Sequence, residues 1–280
     1  MRLLKKEEYS IVVGHLNKVS VNHYFARDVI THKVNGIVYS DKGESPTTFY
    51  IIHPYGVSLL LGDYQNDEFN QQLRQSLLNK DNLRSQIEWM QVYPLAWNDK
   101  LPELLGDHLL TKNRRESGVV FNSDVIQIVE ETRVNFRFNR EKYDAFRAKY
   151  PKRRTDSFRT GALEFETMPG SVVPRFFWRD YTLFEEQGIG FSLRINGELA
   201  STAFSAYLDD HYLEFGIESA PQFRGMGLAK ETCIALIDYC LANNTVPGWA
   251  CRGENTSSFL LAQQLGFEPI SYHPYYKINI

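Results

Sequence analysis

The sequence lacks the features that mark secreted, membrane-spanning and nucleic-acid-binding proteins. It has only three cysteines, Cys233, Cys240 and Cys251, and their spacing fits neither a CxxC zinc or redox site nor a disulfide framework. A formal net charge of −3 gives no general attraction to nucleic acid. The opening MRLLKKEEYS has no apolar signal-peptide region, and no later run is long and apolar enough to cross a bilayer. We therefore expect a cytoplasmic protein with no metal, nucleic-acid or membrane partner.

The chain is long enough to form one large core or two smaller ones. It has 280 residues, of which 43% are hydrophobic. The segment PKRRTDSFRTG, residues 151–161, is basic and rich in turn residues. It predicts a boundary between an α/β domain at 1–150 and a second domain at 151–280. The segment itself is either a solvated linker or a rim that attracts phosphate.

Local patterns predict the secondary structure of both domains. In the first domain, β-branched and aromatic runs followed by a helical pattern predict three strands at 34–40, 47–53 and 56–61 and a helix at 66–78. In the second domain, Asn196-Gly197 is a strong hairpin signal that joins two strands, and a third antiparallel strand follows at 211–218. Pro174 suits the first turn of a helix, which we expect to continue to Glu186.

The stretch PQFRGMGLAK, residues 221–230, joins the third strand to an amphipathic helix. A helix start leaves backbone N–H groups unpaired and carries a partial positive charge, so it attracts anions. The two glycines remove the Cβ atoms that would keep a phosphate away, and Arg224 adds a guanidinium group. No Gly-Lys-Ser/Thr occurs here, and Lys230 stands where a dinucleotide fingerprint has its third glycine. The stretch therefore predicts a phosphate-binding turn of another kind.

The stretch resembles the Q/R-x-x-G-x-G/A motif of the GNAT acyltransferase superfamily. In that family the motif lies between the fourth strand and the following helix, and the third strand predicted here, at 211–218, would take the place of that fourth strand. An asparagine-led helix that starts at Asn255 and ends in Gly266-Phe267 adds to the resemblance. Further residues are similar to the subgroup that includes the zwittermicin A resistance acetyltransferase: VVPRFFW at 172–178, GIGF at 188–191, WAC at 249–251 and LAQQLGF at 261–267. The resemblance covers residues 172–280 well, and the N-terminal half only in general layout.

The resemblance implies an α+β GNAT fold, with a mixed, largely antiparallel sheet flanked by helices. It also implies an additional N-terminal α/β domain, which we expect to be a diverged GNAT-like half. The implied cofactor is acetyl-CoA. Its pantetheine would contact the backbone of Phe215, Gly216 and Ile217, and Asn255 would contact the cofactor arm. Residues around the diphosphate would be Gln222, Arg224, Gly225, Met226, Gly227, Leu228 and Ala229.

The third strand offers three candidates for the catalytic base: His211, Glu214 and Glu218. Alternation places the two glutamates on one face of the strand and the histidine on the other, and we favour Glu214. Many GNAT domains carry a tyrosine acid where this chain has Ala262. The leaving thiolate would then take its proton from another hydroxyl or leave unassisted, the candidates being Ser257, Ser258 and Tyr272.

The implied function is acetyl-CoA-dependent N-acetyl transfer to a small-molecule primary amine, such as an antibiotic or another metabolite. Two alternatives stay open: a non-catalytic acyl-CoA sensor or interaction domain, and an enzyme that modifies a protein amine. A homodimer is compatible with the sequence. Cys251 has no histidine nearby in sequence, so we interpret it as a small buried side chain and not as a nucleophile.

Overall fold

The computed structural model describes residues 1–80, 82–118, 122–150 and 157–280. They form two compact units, of which the first comprises Met1–Arg133 with His273–Ile280 and the second Val134–Tyr272. The domain boundary predicted at residues 150 and 151 stays a prediction, and residues 151–156 of the basic segment lie outside the described residues. None of the helices in these ranges combines the length and the apolar character needed to span a membrane.

The first unit contains a β-sheet and helices, and the helices precede, separate and follow its strands along the chain. Its strands are β1 (Arg2–Leu3), β2 (Ile37–Ser40), β3 (Thr48–Ile52), β4 (Val57–Gly62), β5 (Glu88–Tyr93), β6 (Leu109–Leu110) and β7 (Ile128–Phe138), the last continuing into the second unit. Its helices are α1 (Val13–Leu16), α2 (Tyr24–Ile30), α3 (Asp67–Leu77), α4 (Trp97–Leu105) and α5 (Lys112–Glu116), with 3₁₀ segments at Lys6–Val12 and Gly106–His108. The three strands and the helix predicted in this region are confirmed, with small shifts at their ends.

The second unit begins within β7 and ends within the last strand. Its strands are β8 (Phe158–Arg159), β9 (Gly190–Ile195), β10 (Glu198–Leu208), β11 (Tyr212–Ser219), β12 (Val246–Arg252) and β13 (Phe267–Ile278), the last continuing into the first unit. Its helices are α6 (Arg140–Lys149), α7 (Ala162–Thr167), α8 (Tyr181–Gln187), α9 (Leu228–Ala242) and α10 (Thr256–Gln264), with 3₁₀ segments at Pro174–Phe176 and Pro221–Phe223.

Both units contain the same succession of elements. In the first, β2, β3 and β4 form an antiparallel meander, α3 follows, and β5 lies parallel to β4. In the second, β9, β10 and β11 form the meander, α9 follows, and β12 lies parallel to β11. That the first unit is a diverged copy of the second stays a prediction.

The sheet of the second unit is covered on both faces. On one face, α9 and α10 pack onto β11 and β12 around a core that includes Leu213, Phe215, Cys233, Ile234, Trp249 and Phe267. On the other face, the ring of Phe177 contacts that of Phe204 in β10, and Trp178 contacts Phe184 of α8. Burial of each large apolar side chain stabilises the fold by about 1.5–3 kcal/mol. Together these two layers fix the positions of β11 and β12.

The single helix predicted from Pro174 to Glu186 is wrong. Pro174 begins only a 3₁₀ turn, because the indole N–H of Trp178 donates to the carbonyl of Ser205 at 2.7 Å and Trp178 is buried against the sheet. The helix starts again at α8, where the Asp180 carboxylate accepts a hydrogen bond from the N–H of Leu183 at 2.8 Å. An N-cap aspartate is a favourable start for a helix, so it sets the new boundary.

The positive φ of Gly62, the last residue of β4, gives a test of this fold. Gly62 has φ +107°, and a Cβ built on it would stand 1.8 Å from the carbonyl oxygen of Thr47. We expect Gly62→Ala to lower the free energy of unfolding by about 3 kcal/mol or more, measured by urea denaturation. The control is Gly14→Ala in α1, where a Cβ would meet no atom within 4 Å. That variant should stay within about 1 kcal/mol of the original chain. Equal losses in the two variants would contradict this account.

Candidate functional site

The turn between β11 and α9 is open to solvent. Residues 224–227, here called the glycine turn, are exposed, whereas Leu228 at the start of α9 is buried. Gly225 and Gly227 both have φ +79°, the left-handed region that favours glycine. A Cβ built on either one would meet no atom within 4 Å. The glycines are therefore needed for the backbone conformation, and the space above them is available to a ligand.

The backbone N–H groups of this turn lack acceptors. Those of Phe223, Arg224 and Lys230 donate to carbonyls of nearby residues. In the described part of the chain, the N–H groups of residues 225–229 donate no hydrogen bond. Successive unpaired N–H groups at a helix start form a site for an anion. The phosphate-binding prediction for Gly225, Met226, Gly227, Leu228 and Ala229 rests on this geometry.

Hydrogen bonds hold the turn against the end of β11. The guanidinium of Arg224 donates from Nε to the carbonyl of Ser219 at 3.1 Å and from Nη2 to the Glu218 carboxylate at 3.2 Å. Behind the turn, the hydroxyl of Thr232 donates to the carbonyl of Ala229 at 3.1 Å. The predicted residue Gln222 is exposed, and its side chain donates to Glu198 at 3.3 Å. The turn is thus tied to its scaffold at both ends, while its middle faces solvent.

The parallel ladder between β11 and β12 is short. It joins Tyr212 to Val246, Leu213 to Pro247 and Glu214 to Gly248. Both strands continue beyond this point, to Ser219 and to Arg252, without further pairing to each other among the described residues. We call the space between 215–219 of β11 and 249–252 of β12 the strand gap. It leads from the last ladder pair towards the glycine turn.

The register shows which peptide groups of β11 face the strand gap. The N–H of Val246 donates to the carbonyl of His211, and the N–H of Ala220 donates to the carbonyl of Ala200 in β10. Peptide groups of alternate residues point to opposite edges of a strand, so those of Phe215 and Ile217 are directed towards β12. The ladder pair of Glu214 with Gly248 uses the N–H of Phe215, which leaves the carbonyl of Phe215 and the N–H and carbonyl of Ile217 facing the gap. The peptide group of Gly216 faces β10. A Cβ on Gly216 would stand 2.3 Å from the Phe204 ring, so this glycine is needed for packing.

The corresponding place in the first unit is closed. There the parallel ladder continues along β4 from Val57 opposite Trp89 to Leu61 opposite Tyr93, up to the last residue but one of the strand. The residue after that ladder is Gly62, whose Cα is packed against the backbone of Thr47. Within the described residues, only the second unit therefore combines parted parallel strands with an open turn of two glycines.

The three candidate bases occupy different environments. Glu214 is half-buried and belongs to the last pair of the ladder, opposite Gly248. His211 is exposed in the turn before β11, where its N–H donates to Asp209 at 2.9 Å. Glu218 is 8% exposed, and its carboxylate accepts four hydrogen bonds, discussed below. The structure brings Glu214 to the end of the strand gap, and its role as the base stays a prediction.

Two further observations concern the side chains around the ladder end. The Tyr212 ring lies over Gly248, since a Cβ on that glycine would stand 2.0 Å from the tyrosine hydroxyl. Asn255 caps α10 by accepting from the N–H of Ser258 at 3.2 Å. Ala262 is fully buried, and Tyr272 is exposed.

A surface depression of about 390 Å³ lies elsewhere in the second unit. It is lined by residues that include Arg137, Lys142 and Glu268, and the glycine turn does not contribute to it. The Glu268 carboxylate already pairs with Lys142 at 2.8 Å and with Arg137 at 3.4 Å. Because both cations already pair with Glu268, the depression is a weaker candidate for a functional site than the strand gap.

The comparisons with known proteins agree with this geometry. A family model described as GNAT acetyltransferase matches residues 17–276. The "Uncharacterized N-acetyltransferase YdfB" of Bacillus subtilis (strain 168) is 23% identical over 257 residues, which are 90% of this chain and 89% of that protein. A GCN5-related N-acetyltransferase-like protein from Streptococcus suis 89/1591 has 19% identity and a TM-score of 0.68, over 98% of this chain and 100% of that one. A tandem GNAT protein from the clavulanic acid biosynthesis pathway has 9% identity and a TM-score of 0.57, over 99% and 97%. These likenesses confirm the predicted GNAT fold.

The burial of the three cysteines gives a test of whether any thiol of this protein is reactive. Cys233, Cys240 and Cys251 are all buried, as expected for Cys251. Burial raises the pKa of the Cys233 thiol, and it raises that of Cys240 to about 12. We expect the native protein to react with the thiol reagent DTNB at pH 8 about 100-fold more slowly than the guanidinium-denatured protein. One thiol that reacts equally fast in both states would instead point to an accessible cysteine, and Cys251→Ser would identify it.

Proposed function

Because the chain belongs to the GNAT acetyltransferase family, we propose that it transfers an acetyl group from acetyl-CoA to a primary amine of a small molecule. Membership confirms the family inferred from the glycine turn, and with it the enzyme class. The cofactor and the acceptor are our proposal. The observation that carries it is the strand gap, which leads from the last ladder pair at Glu214 to the unpaired amides of the glycine turn.

The residues present fit acetyl-CoA. The N–H groups of residues 225–229 would bind the diphosphate, since their open space is what a Cβ at Gly225 or Gly227 would fill. The carbonyl of Phe215 and the N–H and carbonyl of Ile217 would bind the pantetheine amides, in the manner of an added strand. The side-chain oxygen of Asn255 accepts a hydrogen bond from the N–H of Ser258. Its side-chain amide nitrogen would then donate a hydrogen bond to the cofactor arm. Acetyl-CoA supplies an acetyl group activated as a thioester.

The chemistry requires a neutral amine and a polarised thioester. Glu214 would accept the proton of the acceptor ammonium group, because its carboxylate belongs to the ladder pair at which the gap ends. The N–H of Ile217, the first donor of β11 that faces the gap beyond the ladder, would donate to the thioester oxygen. No hydroxyl is available at Ala262, so the thiolate leaves unassisted or takes its proton from Ser257, Ser258 or Tyr272.

We place the acceptor among small-molecule amines on the resemblance of residues 172–178 and 249–267 to the subgroup that includes the zwittermicin A resistance acetyltransferase. An amine of an antibiotic or another metabolite is the first substrate class to examine. The buried Ala262 favours a second candidate, an acyl-CoA sensor without turnover. Binding of acetyl-CoA without thiol release on any amine would support the sensor.

The glycine turn gives a test of the cofactor. We expect Gly227→Ala to weaken acetyl-CoA binding by about 10-fold or more in isothermal titration calorimetry, because a methyl group would separate the diphosphate from the amides. The control is Gly197→Ala in the hairpin between β9 and β10. Gly197 has φ +86° and open space around its Cβ position, so it matches the backbone strain at Gly227 without touching the site. Absence of acetyl-CoA binding to the unsubstituted chain at millimolar ligand would refute the proposal.

Glu214 gives a test of catalysis. Free thiol release from acetyl-CoA is followed with a panel of primary amines, and the amine with the highest rate is kept. With that amine, we expect Glu214→Gln to lower kcat by about 100-fold near neutral pH, while the Kd for acetyl-CoA stays unchanged. His211→Ala, in the exposed turn before β11, should keep most of the activity. Full turnover in Glu214→Gln would exclude this residue as the base.

A further inference from the structure

Four hydrogen-bond donors converge on the carboxylate of Glu218. One oxygen accepts from the N–H groups of Ser171 at 3.0 Å and Val172 at 3.1 Å. The other accepts from the N–H of Ser219 at 3.1 Å and from Nη2 of Arg224 at 3.2 Å. A carboxylate offers about four lone-pair sites, so this one has little capacity left to accept a further hydrogen bond. It connects the end of β11, the glycine turn and the segment 170–172.

The segment 170–172 is shaped to receive this carboxylate. Gly170 has φ +120°, and a Cβ built on it would stand 2.4 Å from the carboxylate carbon of Glu218. Only glycine therefore allows the chain to pass so close to Glu218 with two successive N–H groups directed at one oxygen. Such paired N–H groups are a strong arrangement for a fixed negative charge. The approach is specific to this pair of residues and is not a general consequence of packing.

Arg224 makes its hydrogen bonds through one edge of its guanidinium group. Its Nε and Nη2 donate to the carbonyl of Ser219 and to Glu218, both at the end of β11. Its Nη1 makes no hydrogen bond within the described residues, and 60% of the side chain is exposed. A guanidinium fixed on one edge presents its other donors in a set direction. Here those donors belong to the first residue of the glycine turn.

From these contacts we propose that Glu218 is a positioning residue for the cofactor and not the base. It anchors Arg224 so that the remaining guanidinium donors can bind the diphosphate of acetyl-CoA, and it fixes residues 170–172 at the same time. This inference rests on the proposed function. Anchoring removes rotamer freedom from a long side chain before binding, and such preorganisation increases affinity. Without the carboxylate, Arg224 must be ordered when acetyl-CoA binds.

The anchor itself is tested without any ligand. In the full chain, hydrogen exchange of the Ser171 and Val172 amides is followed by mass spectrometry. We expect Glu218→Gln to accelerate exchange at these two amides by about 10-fold, because a glutamine cannot accept from both N–H groups and from Arg224 at once. The control is Glu186→Gln, the same chemical change at an exposed position of α8. Unchanged exchange in Glu218→Gln would overturn the proposal.

The link to the cofactor is tested with a double-mutant cycle on acetyl-CoA affinity, measured by calorimetry. We expect Glu218→Gln to weaken binding by about 3- to 10-fold in the original chain. In an Arg224→Ala background the same change should have no further effect, because Glu218 acts through that arginine. Equal or tighter binding by Glu218→Gln would overturn the proposal. An equal loss in both backgrounds would do so as well.

Turnover separates positioning from catalysis. At saturating acetyl-CoA and with the amine selected by the panel, Glu218→Gln should keep kcat within about three-fold while its KM for acetyl-CoA rises. A loss of kcat of about 100-fold would instead make Glu218 the base. If Glu218→Gln does not fold, Glu218→Asp provides the same comparisons, since it keeps the charge but cannot reach all its partners. A chain that binds no acetyl-CoA refutes the proposed function, whereas the exchange experiment still decides whether Glu218 is an anchor.

Discussion

The early end of the ladder between β11 and β12 is the constraint on which the rest of the site depends. Because pairing stops after Glu214 and Gly248, the carbonyl of Phe215 and the N–H and carbonyl of Ile217 remain available on one side. The antiparallel pairing with β10 keeps the same residues in an extended conformation. The sheet is packed on both faces, with α9 and α10 on one face and Phe177 against Phe204 of β10 on the other. Binding capacity thus comes from hydrogen bonds that the fold leaves unmade.

Local signals in the sequence were sufficient for the elements around the site. The hairpin at Asn196-Gly197, the helix after Gly227 and the exposed glycine turn all depend on residues that lie next to one another in the chain. The same kind of local reasoning failed at Pro174. A proline suits the start of an α-helix or a 3₁₀ turn equally, and what decided between them was the buried Trp178, whose partner Ser205 is 27 residues away.

The strand gap and the role of Glu218 could not be predicted in this way. Where a parallel ladder ends depends on how two faces of a sheet are packed, and no pattern within β11 or β12 records it. Alternation along β11 placed Glu218 on the same face as Glu214, and chemistry alone made both of them candidates for the base. The contacts that separate them come from Ser171 and Val172, 47 and 46 residues earlier in the chain.

The first unit shows what the same order of elements becomes when the ladder is complete. In it β4 and β5 are paired from Val57 to Leu61, so among the described residues of β4 only Gly62 extends beyond the ladder. The second unit carries instead an unpaired strand edge within the interior of its sheet. An unpaired edge on the outside of a sheet can template aggregation, and proteins usually guard it with charges, prolines or bulges. Here the unpaired groups lie between β11 and β12, two neighbouring strands of one sheet, and not at the outer edge where another chain adds a strand.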